Sequence, residues 1–339
     1  MREAGSDLGL LASEHLIALH GKYDGRSQPI RAVMKTTPIT AADLSRSVVA
    51  VPPFARNSDL TPDWRANAAL IAHLQDGGVR SLMYGGNANF YHLAPSEYAQ
   101  VLDFLEEAAG TDTWVLPSAG PDYGKLVDQA AILKRRAFPT AMLLPMTFPF
   151  TDEGLAAAIR RFTDVLAKPA VIYIKADHYI RPDTLAGLFE EQRVAAVKYA
   201  VVRENPADDA YLRELAKVVP RERLVSGIGE RPAVIHLRDF GLASFTSGSV
   251  CVAPRGSMRM LELLRAQRWA DAERIRADYM PLEDCRDEIS PIRVLHDAVS
   301  LAGIADMGPM LPMLSGLDEK SRERVAPIAR QLLEIDRRR

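Results

Sequence analysis

Between residues 48 and 254 eight short apolar runs alternate with longer amphipathic segments. The runs are rich in Val, Ile, Leu and Met without regular polar alternation, which is typical of strands buried on both faces of a parallel sheet. The longer segments, such as 63–74, 95–108 and 154–166, have the periodicity of helices. Eight strands are therefore predicted, at 48–51, 81–84, 114–116, 141–144, 170–173, 194–198, 224–227 and 245–252.

Eight repeats of strand and helix within about 210 residues predict a closed (β/α)8 TIM barrel of the α/β class. An open doubly wound sheet is the alternative, but no Gly-x-Gly-x-x-Gly turn follows the first apolar run. We expect the barrel to occupy residues 48–280, with 258–280 as its last helix. Residues 1–47 are then an N-terminal extension, and residues 281–339 form a C-terminal helical region.

The charge balance limits the partners of such a barrel. The chain has 42 Lys and Arg against 44 Asp and Glu and lacks long runs of like charge, so no nucleic-acid binding is predicted. No apolar stretch reaches the ~20 residues of a membrane helix, and the N-terminus is unlike a signal peptide. The two cysteines, Cys251 and Cys285, suit buried thiols in a reducing compartment. We expect a cytoplasmic protein that binds a small molecule.

Lys198 is the strongest candidate for a reactive side chain. It closes the apolar run 194–198. Only nine of the 42 basic residues of the chain are lysines, so a lysine within an apolar run departs from the usual composition of this chain. Catalytic groups of a (β/α)8 barrel lie at the carboxyl ends of the strands. Burial lowers the pKa of an amine, and a neutral amine attacks a carbonyl group to form a Schiff base. A lysine that extends to solvent, or that pairs with a distant carboxylate, is the alternative.

Tyr173 ends the run that precedes the Lys198 strand. Because adjacent strands lie about 5 Å apart, we expect its phenol near the Lys198 amine, where it can relay protons. A core tyrosine with any hydrogen-bond partner is the alternative. Lys175, two residues later, shares the face of Tyr173 and would lower the pKa of Lys198 further, unless it is simply solvated.

The turn after the second run contains Gly86, Asn87 and Asn89. Glycine lets backbone N–H groups approach a ligand closely, and the amides add donors, a combination that suits a carboxylate or a phosphate. An ordinary loop between a strand and a helix has a similar composition.

His178 follows Tyr173 by five residues, on a loop expected at the barrel mouth. No pair of histidines has the spacing of a zinc protease motif, so no metal or other cofactor is predicted.

Taken in order, these positions resemble the dihydrodipicolinate synthase and N-acetylneuraminate lyase family over roughly residues 48–280. The resemblance is carried by the glycine-rich turn, the segment 145–155, Tyr173, Lys198, Ser226 with Gly227, and the segment 247–254. It implies a class I aldolase barrel in which Lys198 forms a Schiff base with pyruvate or another 2-keto acid and Tyr173 shuttles protons. Gly86 and Asn87 stand where the family has the paired Thr or Ser residues that hold the keto-acid carboxylate. The resemblance also implies a homotetramer or a homodimer.

Departures from the family pattern bear on the reaction. Met146 and Thr147 replace the family's aromatic pair, one member of which reaches a neighbouring subunit's site in the synthases. We therefore expect an aldolase, lyase or dehydratase that acts on a 2-keto acid or a 2-keto-3-deoxy sugar acid, rather than dihydrodipicolinate synthase. Thr147, His178, Gly227 and Thr246 are expected to line the part of the pocket that selects the substrate.

Two other functions fit the same residues. A 2-keto-acid binding or regulatory protein that has lost turnover would keep the barrel and Lys198. An unrelated barrel enzyme with a phosphorylated substrate would use the turns 227–229 and 247–249 as a phosphate cradle. Binding of sugar phosphates rather than keto acids would favour the second of these.

Overall fold

The computed structural model describes residues 34–339. Within that range eight parallel strands pair in chain order, and β8 pairs with β1 to close a barrel. The predicted (β/α)8 fold is thus confirmed, and the open doubly wound sheet is excluded. The strands are β1 Val49–Ala50, β2 Ser81–Tyr84, β3 Trp114–Ala119, β4 Met142–Leu143, β5 Ala170–Ile174, β6 Val194–Tyr199, β7 Leu224–Ser226 and β8 Ser244–Ser247.

Helices surround the barrel, and their first residues follow from local chemistry. Pro95 begins its helix because proline has no N–H group, and the N–H of the first helical residue would have no partner within the helix. Thr151 caps another helix, since its Oγ1 accepts a hydrogen bond from the N–H of Gly154 at 3.1 Å. Among the described residues the helices are α1 Ala41–Arg46, α2 Trp64–Asp76, α3 Pro95–Ala108, α4 Tyr123–Lys134, α5 Asp152–Leu166, α6 Pro182–Glu190, α7 Ala210–Val218, α8 Ala233–Asp239, α9 Pro254–Arg265, α10 Trp269–Glu288, α11 Pro291–Leu301 and α12 Glu319–Arg337.

Residues 34–47 contact the amino-terminal end of the barrel. The N–H of Lys35 donates a hydrogen bond to the carbonyl of Thr113, the residue before β3. Arg223, the residue before β7, donates through Nη1 to the carbonyl of Ile39 at 3.1 Å. This segment therefore lies opposite the end at which the strand-end side chains meet. The remainder of the predicted extension, residues 1–33, is outside the described residues.

Several predicted strands differ from the structure by a few residues at their ends, and two predicted elements differ by more. The run 245–252 is a strand only as far as Ser247, because Gly248 turns away and the Ser247 Oγ accepts a hydrogen bond from the N–H of Val250 at 2.9 Å. Residues 249–251 form a 3₁₀ turn. The predicted helix 258–280 is divided between α9 and α10, because Gln267 adopts a left-handed conformation with φ of 56°.

The C-terminal helices α10 to α12 enclose a second apolar cluster beside the barrel. Buried residues from all three helices form it together with Val252 and Ala253. The predicted boundary at residue 280 falls within α10, and this helix brings its last turn to the carboxyl end of the strands. Cys251 and Cys285 are free and buried, as expected. None of the helices of the described residues combines the length and the apolar composition needed to cross a bilayer.

Candidate active site

A cavity of about 150 Å³ opens at the carboxyl ends of the strands. Most of its lining comes from strand ends and the turns that follow them, as expected for a barrel of this type. The last turn of α10 and the start of α11 complete the wall. The polar, charged and glycine residues of the lining are Gly86, Asn87, Tyr91, Tyr173, Lys175, Lys198, Gly227, Gly229, Thr246, Gly248, Arg286 and Asp287.

Lys198 lies near the end of β6 with its side chain directed into this cavity. The residue is only 5% exposed, and its Nζ is 4.4 Å from the centre of the Tyr173 ring. Burial, reinforced by the nearby charge of Lys175, lowers the pKa of the Lys198 amine from 10.5 to about 7. About half of the amine is therefore neutral at neutral pH, which is the form that attacks a carbonyl carbon.

Tyr173 stands beside Lys198 because the registers of β5 and β6 place the two residues directly opposite each other. Burial raises the pKa of the Tyr173 phenol to about 12, and the opposing influence of the Arg286 charge is smaller. The phenol thus keeps its proton at neutral pH. In that state it can donate a proton to an oxygen atom near Lys198 and take one back.

The turn after β2 forms another part of the cavity wall. Asn87 donates through Nδ2 to the carbonyl of Val51 at 3.1 Å, which ties the turn to the end of β1. Gly86 lines the cavity and has no side chain to cover its backbone; a Cβ atom there would lie 3.5 Å from Cε2 of Tyr91. Asn89 does not line the cavity: it is buried, has φ of 63°, and its N–H donates to the carbonyl of Gly86. Its role is therefore in the shape of the turn.

Gly227 and Thr246 line the cavity, whereas Thr147 and His178 do not. A Cβ atom at Gly227 would lie 2.6 Å from the Cβ of Ala200, so close packing of neighbouring strand ends requires glycine there. Thr147 is exposed on the loop after β4. His178 is also exposed, and its ring packs on Tyr211 at 5.2 Å between centroids.

Arg286 is a cavity residue that the sequence did not reveal. It belongs to α10 and falls in the stretch that the sequence assigned only to a C-terminal helical region, yet the residue is only 6% exposed. Its Nη1 donates to the carbonyl of Ile228 at 2.8 Å and to Glu283 Oε2 at 2.7 Å. The Glu283 carboxylate also accepts from Ser249 Oγ at 2.6 Å. The three-residue spacing of Glu283 and Arg286 was the available signal, but such pairs are common on solvated helix faces.

Candidate ligands for a metal ion are dispersed. Throughout residues 34–339, no three side chains of His, Cys, Asp or Glu are grouped so that they could hold one. The cavity residues themselves supply two amines, phenols, a guanidinium paired with carboxylates, and backbone or amide donors.

Comparison with known proteins agrees with this arrangement. Residues 43–332 match the Dihydrodipicolinate synthetase family. A probable 5-dehydro-4-deoxyglucarate dehydratase of Saccharopolyspora erythraea is 23% identical over 300 residues, which cover 86% of this chain and 95% of the relative.

Two solved structures share the fold. A prophage protein of the dihydrodipicolinic acid synthase family from E. coli K12, in complex with pyruvate, has a TM-score of 0.74 at 18% identity and covers 84% of this chain and 98% of its own. A catalytic lysine mutant of the Ruminococcus gnavus sialic acid aldolase has a TM-score of 0.76 at 12% identity and covers 87% and 98%. Since the family match spans both the barrel and most of the C-terminal helices, the chain belongs to the dihydrodipicolinate synthetase family and is a lyase of the class I aldolase type.

Proposed function

We propose that this enzyme forms a Schiff base between Lys198 and the C2 carbonyl of a 2-keto acid, and then cleaves or forms a bond at C3 or C4. The observation that supports the proposal most strongly is the buried Lys198 amine, whose pKa is lowered to about 7, beside a protonated Tyr173. The solved sialic acid aldolase with the same barrel is described as having a catalytic lysine, which agrees with this role.

The first steps follow from the two side chains. The neutral Lys198 nitrogen attacks C2, the C–N bond forms, and the carbonyl oxygen takes a proton through Tyr173 to give a carbinolamine. A further proton on the C2 hydroxyl lets it leave as water, and the nitrogen keeps the positive charge as a protonated imine. We place the substrate carboxylate against the backbone of Gly86 and the amide of Asn87, across the cavity.

The protonated imine then accepts an electron pair. Loss of a C3 proton produces an enamine, and the C4 hydroxyl takes a proton and leaves as water. Alternatively, the C4 hydroxyl loses its proton as the C3–C4 bond breaks, an aldehyde departs, and C3 of the resulting enamine takes up a proton to restore the imine. Hydrolysis of the imine releases the keto acid and restores the amine. The Saccharopolyspora relative is a probable dehydratase of a keto-deoxy sugar acid, and we extend that substrate class, a 2-keto-3-deoxy sugar acid, to this enzyme.

Borohydride trapping tests this proposal. Wild-type enzyme is mixed with pyruvate, reduced, digested and analysed by peptide mass spectrometry; we expect one adduct, on Lys198. Lys198→Met should form none, while Lys217→Gln, a change at an exposed lysine of α7, should label as the wild type does. Absence of an adduct with pyruvate and with 2-keto sugar acids would count against a Schiff-base enzyme. An adduct without turnover of any sugar acid would favour a binding or regulatory protein.

We also propose that the enzyme is a homodimer or homotetramer. The loop after β4 exposes two large aromatic residues, Phe148 at 82% and Phe150 at 40%, and Tyr123 next to them is 57% exposed. The side chains of Phe150 and Tyr123 border an apolar groove of about 350 Å³ between α4 and α5. A second copy that covers the patch would remove this apolar surface from water.

The two free thiols suit the cytoplasm, the compartment that we propose.

A further inference from the structure

Some of the charged side chains that line the cavity have a partner of opposite charge and others have none. Four charged side chains line it: Lys175, Lys198, Arg286 and Asp287. Arg286 is neutralised, because it donates to Glu283 and to Asp287, whose Oδ1 lies 2.9 Å from its Nη2. Lys198 is the proposed nucleophile. Among these lining groups, Lys175 is the cation for which no function has been assigned.

Lys175 has no carboxylate partner among the described residues. The nearest acidic residue in sequence, Asp177, is already held by both terminal nitrogens of Arg203. Asp287 is bound by Arg286 and by Arg231, whose Nε is 2.9 Å from its Oδ2. The Lys175 ammonium is thus available to an anion that enters the cavity.

The position of Lys175 relative to Lys198 defines which part of a substrate it can meet. Lys198 is buried at the level of Tyr173, whereas Lys175 is exposed and follows the end of β5. Two residues along a strand span about 6.6 Å. When a keto acid is attached to Lys198 through C2 and has five or six carbons, its chain extends from C2 toward the cavity mouth over a distance similar to this strand spacing. Its far end then reaches the level of Lys175, which lines the same cavity.

We propose that Lys175 binds a second anionic group at the far end of the substrate, so that the enzyme selects dianionic 2-keto acids of five to six carbons. This inference rests on the proposed Schiff base at Lys198 and adds the charge of the substrate to it. A terminal carboxylate and a terminal phosphate share the required chemistry, because each accepts charge-assisted hydrogen bonds from an ammonium group.

A competition experiment tests the assignment. Wild-type enzyme is given equal concentrations of 2-oxoadipate and 2-oxohexanoate, which have the same chain length and differ in the terminal carboxylate, and is then reduced with borohydride. The two adducts differ in mass, so one intact-mass spectrum gives their ratio. We expect 2-oxoadipate to be captured roughly two- to fivefold more, the range expected of a solvent-accessible ion pair.

Variants at position 175 identify the source of the preference. Lys175→Gln should bring the ratio close to one, Lys175→Arg should retain most of the preference, and Lys217→Gln should leave it unchanged. Removal of Lys175 also raises the pKa of Lys198, but that change acts on both acids alike and cancels in the ratio. Because Lys175 is exposed, the substitutions leave the core intact.

The outcomes separate the two proposals. A wild-type ratio near one, or a preference that survives in Lys175→Gln, would overturn the role of Lys175 while adducts on Lys198 still support the Schiff base. No adduct with either acid would overturn the role of Lys175 if pyruvate still labels Lys198, and would contradict the Schiff base itself if pyruvate also gives none. A further competition of 2-oxo-5-phosphonopentanoate with 2-oxohexanoate measures the preference for a terminal group that resembles phosphate. A Lys175-dependent preference for either dianion supports the subsite, and the larger ratio identifies the terminal group that it fits.

Discussion

Lys198 shows how one side chain acquires reactivity from its position. The residues before it in β6 are apolar, the centre of the Tyr173 ring lies 4.4 Å from its Nζ, and the charge that influences its pKa is that of another lysine, Lys175. Each of these features disfavours the charged amine. The same environment that makes the amine nucleophilic therefore also makes it a cost to the stability of the fold.

This cost leads to a prediction about Lys198→Met, which keeps the length of the side chain and removes the amine. We expect the variant to be more stable than the wild type by roughly 1–3 kcal/mol at pH 7, as measured by urea unfolding. The folded-state pKa of about 7 lies below the ordinary value of 10.5, so the penalty is complete below pH 7 and fades as the pH rises to 10.5. A gain that stays constant from pH 7 to 10 would contradict this account.

At the scale of elements, α10 joins the C-terminal region to the catalytic cavity. Its residue Glu283 is fully buried, accepts from Ser249 Oγ in the turn after β8, and pairs with Arg286. Burial raises the pKa of the Glu283 carboxyl, an effect opposed by the Arg286 charge. Because Arg286 also donates to the turn after β7 through the carbonyl of Ile228, this pair anchors the helix against two turns of the barrel mouth.

Glu283→Gln should therefore destabilise the protein although it preserves the shape of the side chain. The variant leaves the buried Arg286 guanidinium with Asp287 as its remaining charged partner, and we expect a loss of roughly 2–3 kcal/mol in urea unfolding. The matched control is Glu262→Gln, which breaks the exposed pair of Arg259 and Glu262 at the same spacing in α9. That change should cost less than about 0.5 kcal/mol. Equal losses of unfolding free energy in both variants would mean that the buried pair contributes no more to stability than the exposed pair does.

At the scale of the whole molecule, closure of the barrel removes every sheet edge but leaves the aromatic loop after β4 uncovered. Strand pairing satisfies the backbone of all eight strands, so association through a free strand is not available within the barrel. The side chains of Phe148 and Phe150, together with the adjoining groove, are the apolar surface on which the proposed assembly depends.

The double variant Phe148→Ser/Phe150→Ser should lower the oligomeric mass measured by light scattering after size-exclusion chromatography. Wild type is expected to run as a dimer or tetramer, because burial of the two rings stabilises the contact by the hydrophobic effect. Met313→Ser is the control, since Met313 is 86% exposed and lies outside this loop. A monomeric wild type, or an unchanged mass for the double variant, would argue against this interface.

The strand that carries Lys198 and the strand that ends near Tyr173 were predictable because both are continuous apolar runs, and parallel pairing in chain order follows from their alternation with helices. Asn89 and His178 were harder to place, because a loop's composition does not determine which way its side chains point. Each adopts a positive φ, 63° and 53° respectively, which turns the backbone at these two positions.

The amino-acid sequence by itself determined the closed barrel and the level of Lys198 and Tyr173 within it, since both depend on local periodicity that repeats along the chain. Only the tertiary structure decided that Arg286, 88 residues beyond Lys198 in the chain, completes the cavity wall, and that Asp177 pairs with Arg203 and not with Lys175. Contacts of this kind depend on how a distant helix packs and on which of several nearby cations a carboxylate pairs with. Neither leaves a periodic trace in the sequence, because each is set by the three-dimensional path of the chain.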